Sequence, residues 1–116
     1  GTWLLPRLVG RARALGLALL GDKLPAEEAE RIGLIWRCVD DAALADEAAA
    51  LATKLAAMPV AALAATRAAL DDGASLPLEE ALDAEARLQS RLGRAHDYQE
   101  GVAAFGARRA PQFTDR

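Results

Sequence analysis

Residues 40–55 read DDAALADEAAALATKL, and this stretch gives the clearest indication of the fold class. Its apolar side chains recur at i, i+4, i+7 and i+11, the spacing that places side chains on one face of an α-helix. They are Leu44, Ala48, Leu51 and Leu55. Asp40 and Asp41 stand where a helix N-terminus is capped. The stretch therefore predicts a long amphipathic helix.

Proline and glycine residues mark where other helices begin and end on both sides of this stretch. Proline costs no hydrogen bond in a first helical turn, so helix starts are predicted at Pro25, Pro59 and Pro77, the last helix reaching about Leu92. Glycine readily adopts the left-handed conformation that ends a helix. Ends or bends are therefore predicted near Gly10, Gly21, Gly33 and Gly73.

Three local patterns give more specific predictions. Thr2 is expected to cap a short first helix, and Asp97, three residues before Glu100, has the capping-box spacing for a final helix. The run Leu34 to Val39 is short and contains Ile, Trp and Val, which favours a strand. The sequence therefore predicts a mainly α chain with one short strand.

The composition agrees with this fold class and excludes several functions. Hydrophobic residues make up 53% of the chain but aromatic residues only 4%, and the remainder is mostly Ala and Leu, which favour helices. The chain has 14 basic and 17 acidic residues and no basic cluster, so no nucleic-acid partner is expected. The longest apolar run, Leu15 to Leu20, is shorter than the ~20 residues that span a bilayer, so no membrane partner is expected either.

Few residues could carry catalysis. His96 is the single histidine, and Ser75 and Ser90 lack a glycine elbow, so no hydrolytic triad is predicted. One histidine and the single Cys38 cannot form a zinc site or a disulfide within the chain. A chain with one cysteine fits a reducing compartment, so a cytoplasmic location is expected. No catalytic residue and no metal site are predicted.

Two sets of polar residues allow either a structural or a binding interpretation. Glu85 and Gln89 lie on the same helical stripe as Leu82, where polar groups must be paired, face a partner or touch a ligand. Arg108 and Arg109 follow the final helix, where cations interact well with the negative end of its dipole. They could instead bind an anion such as a phosphate.

Three segments together resemble the enoyl-CoA hydratase/isomerase, or crotonase, family over essentially the whole chain. Residues 1–10, GTWLLPRLVG, are similar to the family stretch G-T-x-x-L-P-R-x-x-G. Residues 24–40, LPAEEAERIGLIWRCVD, resemble its S/P-A-x-x-A-x-x-x-G-L-V-x-x-V segment. Residues 100–113, EGVAAFGARRAPQF, resemble its terminal E-G-x-x-A-F-x-x-K/R-R-x-P-x-F signature. Residues 1–7 and 35–41 resemble in particular the isomerases of phenylacetate catabolism, which convert a ring-1,2-epoxide of phenylacetyl-CoA to its oxepin.

The resemblance implies that this chain is the C-terminal helical portion of the crotonase fold. Residues 1–40 would end the family's core, and residues 41–116 would form its helical region for oligomerisation and CoA contact. The N-terminal ββα spiral, with its oxyanion hole and its acidic catalytic residue, would lie upstream of residue 1. The chain alone is therefore expected to be catalytically silent and to expose apolar residues that the spiral would cover, especially Trp3, Leu4, Leu8 and Leu15.

The resemblance also implies binding residues and partners. Arg108 matches a position where family members often place a basic residue near a CoA phosphate. Gln89 matches a position where many place an aromatic residue against the adenine, and the change to Gln puts that contact in doubt. CoA would be part of an acyl-CoA substrate rather than a separate cofactor, and the assembly would be a trimer or a dimer of trimers. A fatty-acid enoyl-CoA hydratase and a stand-alone helical interaction module are the alternatives.

Overall fold

The computed structural model describes residues 1–114. Within this range all regular secondary structure is helical, and the helices are α1 Leu4–Val9, α2 Arg11–Leu20, α3 Ala26–Arg31, α4 Leu44–Ala56, α5 Val60–Gly73, α6 Leu78–Leu92 and α7 His96–Gly106. The chain divides into two compact units, Gly1–Ala45 and the part from Asp46 onward. The mainly helical fold predicted from the sequence is confirmed, whereas the roles assigned to residues 1–40 and 41–116 stay predictions.

The first unit has a small apolar core formed by α1, α2 and the end of α3. Val9, Ala14 and Ile32 are its buried members. Partly buried leucines pack around them, namely Leu5, Leu17, Leu24 and Leu34. Burial of such side chains contributes roughly 25 cal/mol per Å² of apolar surface removed from water, so this cluster is what holds the short helices together.

Helix α3 ends as the sequence predicts, with glycine in the left-handed conformation. Gly33 has φ 78°, and its N–H donates to the Glu30 carbonyl at 3.0 Å. The next N–H, of Leu34, donates to the Ala29 carbonyl at 2.9 Å. These two hydrogen bonds form a Schellman motif, which pairs carbonyls that the helix end would leave without donors.

The predicted strand at Leu34 to Val39 is wrong, because no β-ladder forms anywhere in residues 1–114. The N–H groups of Leu34 and Ile35 both donate to the Ala29 carbonyl, at 2.9 and 3.3 Å. They complete the end of α3 and are therefore not available to a neighbouring strand. A strand is stable only when its backbone groups have a partner, and the described chain offers no second strand.

The second unit contains most of α4 and the helices α5, α6 and α7. Helices α5 and α6 pack against each other. Ala65 of α5 and Ala104 of α7 are buried apolar residues, and Asp97 is buried although its side chain is polar. The amphipathic stripe predicted on α4 forms, but none of its residues is buried, and Leu44, Leu51 and Leu55 remain exposed.

The capping groups predicted for the first and last helices are wrong. At α1 no side chain caps the N-terminus, because the helix is preceded by a turn in which the Leu5 N–H donates to the Gly1 carbonyl at 2.9 Å. Thr2 is therefore not used as a cap. Helix α7 begins at His96 after Ala95 without a side-chain cap, and Asp97 lies inside its first turn.

Large apolar side chains are exposed on α1 and α2. Trp3, Leu4, Leu8 and Leu15 are all exposed, as the sequence predicts. An open apolar cavity of about 500 Å³ lies beside them, lined by Gly1, Thr2, Leu5, Pro6, Arg11, Ala14, Leu15 and Ala18. Among residues 1–114 no single helix is long and apolar enough to cross a membrane, and α4 with α5 meets that test only jointly, across a 105° bend.

Candidate functional site

The C-terminal end of α7 repeats the backbone geometry of the α3 end, but with arginine in the glycine position. The Arg109 N–H donates to the Ala104 carbonyl at 3.0 Å, and the Arg108 N–H donates to the Phe105 carbonyl at 3.2 Å. Arg108 has φ 53° and is the one non-glycine residue with positive φ in the described chain. A side chain in this conformation is strained, because its Cβ approaches the backbone too closely.

Arg109 is held by an ion pair with a carboxylate of α7. Its guanidinium donates to Glu100 through Nη1–Oε1 at 2.6 Å and Nη2–Oε2 at 2.8 Å. The Gln112 N–H donates to the same Oε1 at 2.7 Å. We call this set of contacts between Glu100, Arg109 and the Gln112 N–H the C-terminal clasp. It fixes the chain on the C-terminal side of Arg108.

The clasp changes the ionisation of both partners. Hydrogen bonds from Arg109 and from the Gln112 N–H lower the pKa of Glu100 to about 2. The same carboxylate raises the pKa of Arg109. The Glu100 side chain is only 15% exposed, so solvent screens this pair less than it would screen two fully exposed charges. Both groups are therefore charged at neutral pH.

A second set of contacts returns the tail to the first turn of α7. The Thr114 N–H donates to Asp97 Oδ1 at 2.7 Å, and Asp97 is only 4% exposed. His96 Nδ1 lies 3.2 Å from that carboxylate oxygen and 3.2 Å from the Thr114 hydroxyl oxygen. The Phe113 ring lies over Gly101, where an added Cβ would be 3.7 Å from the ring. The capping-box prediction fails because the tail occupies both carboxylates.

Arg108 differs from Arg109 in having no hydrogen-bond or ion-pair partner for its guanidinium among residues 1–114. The side chain is exposed, and the backbone N–H donates to the Phe105 carbonyl at the helix end. Because Glu100 already neutralises Arg109, Arg108 is the arginine of this turn that is available to bind an anion. The sequence could not separate the two arginines, whereas the structure assigns them different surroundings.

Glu85 and Gln89 face each other on α6, one helical turn apart. Gln89 Nε2 donates to Glu85 Oε1 at 3.0 Å, and both residues are exposed. The pairing expected for polar groups on this stripe is thus present within the chain. The Gln89 amide keeps a second N–H and its carbonyl oxygen for a ligand.

A groove between α5 and α6 lies beside this pair. Its volume is about 280 Å³, and its walls are formed by Ala65, Thr66, Ala69, Leu70, Glu85, Leu88, Gln89 and Leu92. Five of these eight side chains are apolar; of the three polar ones, Glu85 and Gln89 lie together on α6, and the Thr66 hydroxyl of α5 donates to the Ala62 carbonyl. The groove can therefore hold a flat apolar group that also carries hydrogen-bonding atoms on one side.

A larger apolar cavity of about 420 Å³ was not predicted from the sequence. Its lining residues are Pro59, Ala61, Ala62, Leu92, Ala95, Asp97, Tyr98, Gly101, Val102, Phe105 and Phe113. The i, i+4, i+7 spacing of Tyr98, Val102 and Phe105 is the signal that marks one wall, and all three are exposed. The other walls come from distant parts of the chain, which no local pattern brings together.

The described residues offer little acid–base or nucleophilic chemistry. Desolvation raises the pKa of the Cys38 thiol, and the carboxylates of Glu27 and Glu30 raise it further. A protonated thiol is a weak nucleophile. Between residues 1 and 114 no group of three or more His, Cys, Asp or Glu side chains could hold a metal ion.

Comparison with known proteins identifies one family and several individual proteins with similar sequences. Residues 1–116 match the profile of the enoyl-CoA hydratase/isomerase family. The chain is 51% identical over 116 residues to the 1,2-epoxyphenylacetyl-CoA isomerase of Escherichia coli K12, covering all of this chain and 44% of that protein. It is also 51% identical over 116 residues to a Rhodobacter capsulatus protein named "Probable enoyl-CoA hydratase", covering all of this chain and 45% of that protein.

Solved structures share the fold as well as the sequence pattern. The crystal structure of an enoyl-CoA hydratase from Geobacillus kaustophilus superposes with a TM-score of 0.94 at 34% identity, covering all of this chain and 44% of that one. The chain thus spans less than half the length of the relatives that it matches. With a family match over residues 1–116 and this likeness in fold, the chain belongs to the enoyl-CoA hydratase/isomerase, or crotonase, family.

Proposed function

We propose that this chain supplies the CoA-contacting and subunit-contacting part of a crotonase-family acyl-CoA isomerase. In this proposal Arg108 binds a phosphate of CoA and Gln89 contacts the adenine. CoA arrives as part of the acyl-CoA substrate, so no separate cofactor takes part. The observation that carries the proposal is the exposed Arg108 guanidinium, which has no partner within residues 1–114 while its neighbour Arg109 is neutralised by Glu100.

A phosphate is a suitable ligand for Arg108. The planar guanidinium can donate two parallel N–H groups to two phosphate oxygens, and such charge-assisted hydrogen bonds are roughly twice as strong as neutral ones. The fixed helix end determines where this cation projects. Exposure of Arg108 leaves room for a ligand to approach.

The groove beside Gln89 suits the adenine. A side-chain amide can donate to and accept from the N6 and N7 edge of adenine. The leucine and alanine side chains of α5 and α6 offer apolar walls to its ring faces. In this arrangement hydrogen bonding by Gln89 replaces the stacking that an aromatic residue provides in other family members.

For the acyl group, we propose 2-(1,2-epoxy-1,2-dihydrophenyl)acetyl-CoA, an intermediate of aerobic phenylacetate catabolism, which the enzyme would isomerise to its oxepin form. The 51% identity to the E. coli 1,2-epoxyphenylacetyl-CoA isomerase supports this substrate. The equal identity to the R. capsulatus protein supports a second candidate, hydration of an enoyl-CoA. Both reactions involve a CoA thioester, so the binding proposal is the same for either.

Residues 1–116 alone are proposed to be catalytically silent and to act as part of a trimer or a dimer of trimers. The exposed apolar stripe of α4 and the exposed Val102 and Phe105 of α7 support the assembly. A helical interaction module would use the same apolar surfaces but would not bind CoA.

The proposal is tested with the full natural polypeptide that carries residues 1–116, called the full protein below. It is assayed with the ring epoxide of phenylacetyl-CoA and with a short trans-2-enoyl-CoA, and products are identified by mass spectrometry and ultraviolet absorbance. Oxepin formation supports the isomerase and hydration of the enoyl-CoA supports the hydratase. Failure to bind either CoA thioester would contradict both and favour the interaction module.

A further inference from the structure

We propose that Glu100 is a positioning residue for Arg108, and that the C-terminal clasp holds the Arg108 guanidinium where it meets a phosphate of the substrate. The inference rests on the proposed role of Arg108 in CoA binding. Glu100 itself need not touch the substrate. It acts through Arg109 and through the Gln112 N–H, at 2.6, 2.8 and 2.7 Å.

The backbone at Arg108 needs such support. The α3 end has the same pair of hydrogen bonds but uses Gly33, which adopts positive φ without a steric penalty. Arg108 adopts φ 53° with a full side chain. A residue in this conformation persists when its surroundings hold the chain on both sides, and such residues cluster at ligand-binding sites.

The clasp holds one side and the helix holds the other. Before Arg108, the chain is fixed by the last turn of α7, where the Ala107 N–H donates to the Ala103 carbonyl at 2.9 Å. After it, Arg109 is tied to Glu100 through its side chain and to Ala104 through its N–H. The direction of the Arg108 Cα–Cβ bond, from which the side chain extends, is therefore fixed by two anchored neighbours.

The clasp also decides which arginine can bind an anion. Without the Glu100 carboxylate, Arg109 would be a second free cation next to Arg108, and a phosphate could bind to either in several geometries. With Glu100 present, the charge of Arg109 is neutralised by a nearly buried carboxylate. One free guanidinium, extending from one fixed backbone position, is then presented to the anion, which limits the number of competing binding geometries.

Loss of the clasp is expected to leave the fold intact. The tail has two further attachments, from the Thr114 N–H to Asp97 and from Phe113 to Gly101. The variant Glu100→Gln keeps an oxygen that can accept from the Gln112 N–H but removes the negative charge. We therefore expect this variant to change only how the backbone at Arg108 is held and whether Arg109 competes with Arg108 for an anion.

The test measures CoA binding by calorimetry for the full protein and for the variants R108A, E100Q and E100Q/R108A. Pantetheine, which lacks the nucleotide and all phosphates, serves as the control ligand. R108A should weaken CoA binding about tenfold or more, the equivalent of one charge-assisted hydrogen bond. E100Q should weaken it about threefold to fivefold, and the double variant should bind CoA no more weakly than R108A, because it leaves Arg109 as a free cation. Pantetheine affinity should not change.

The other possible outcomes contradict either the role of Glu100 or the role of Arg108. If R108A weakens CoA binding and E100Q does not, Glu100 has no positioning role and the proposed function stands. If E100Q weakens CoA and pantetheine equally, or adds its full effect to R108A, Glu100 is merely structural. If R108A has no effect, the role of Arg108 and this inference fail together. Should E100Q not fold, the variant E100Q/R109Q removes both charges of the clasp without changing the net charge or freeing a second cation, and it must still weaken CoA binding while leaving pantetheine binding unchanged.

Discussion

Arg109 reaches back nine residues to Glu100 and donates two hydrogen bonds to its carboxylate, at 2.6 and 2.8 Å. This pair separates the functions of two adjacent arginines, since Arg109 is neutralised while Arg108 remains exposed. It also joins the tail to α7 at the point where the helix ends in a strained conformation. The Glu100–Arg109 pair therefore contributes both to the stability of this turn and to its capacity to bind an anion. Unfolding and CoA-binding experiments measure these two contributions separately.

Replacing Arg108 by glycine should stabilise the protein while weakening CoA binding. Glycine relieves the positive φ of 53°, and the left-handed conformation costs other residues about 1 kcal/mol. The free energy of unfolding, measured with urea, should rise by up to about that amount. CoA affinity should fall about tenfold because the guanidinium is lost. R108A is the matched control and should lose the CoA affinity without the gain in stability. If R108G is less stable than the wild type, the backbone at Arg108 is not strained.

The clasp should make stability depend on pH in the acid range. The pKa of Glu100 is lowered from 4.5 to about 2 in the folded chain. A carboxyl group with a depressed pKa stabilises the fold above its unfolded pKa, and this contribution is lost as the pH falls through the folded value. The difference in unfolding free energy between wild type and E100Q should therefore be constant near neutral pH and shrink between pH 4.5 and about 2. A difference that does not change over this range would show that the pair is not formed.

Substituting Gly101 by alanine should stabilise the second unit. Glycine inside a helix costs about 1 kcal/mol relative to alanine. The added Cβ would lie 3.7 Å from the Phe113 ring, an ordinary contact distance. An increase of about 0.5–1 kcal/mol in unfolding free energy is expected. The matched control is Gly93→Ala, where the new Cβ would lie 3.0 Å from the Gln89 carbonyl oxygen and should give little gain or a loss.

Gln89 should contribute to CoA binding but not to pantetheine binding. Gln89→Leu removes the amide that is proposed to face the adenine and leaves a side chain of similar size. CoA affinity should fall by about fivefold, in keeping with the loss of one neutral hydrogen bond. Glu85→Gln is the control, because it changes the partner at 3.0 Å without removing Gln89. Equal affinities of wild type and Gln89→Leu for CoA would remove Gln89 from the site.

Local patterns predicted the helices well because each helix depends on residues close in sequence. The apolar spacing of residues 44–55 and the prolines at 25, 59 and 77 placed α3, α4, α5 and α6. The left-handed end at Gly33 was also predictable, since glycine has little cost there. The predicted strand at residues 34–39 is wrong because the N–H groups of Leu34 and Ile35 complete the end of α3, which the β-branched composition does not indicate.

The candidate site depends on contacts that no local pattern encodes. Asp97 and Glu100 have the spacing of a capping box, but their partners lie 17 and 12 residues away, at Thr114 and Gln112. An arginine with positive φ has no composition signal, since glycine is the expected residue at such a helix end. The helical stripe singled out Gln89, the end of the last helix singled out Arg108, and the resemblance suggested their ligands, whereas their surroundings could be described only from the folded chain.

A crystal structure of the full protein with bound CoA would show whether Arg108 binds a CoA phosphate. We expect a phosphate oxygen within about 2.7–2.9 Å of the Arg108 guanidinium, and the clasp between Glu100 and Arg109 unchanged. We also expect that the adenine lies within hydrogen-bonding distance of Gln89. A structure in which the phosphates contact other residues and Arg108 remains in solvent would contradict the proposed CoA site.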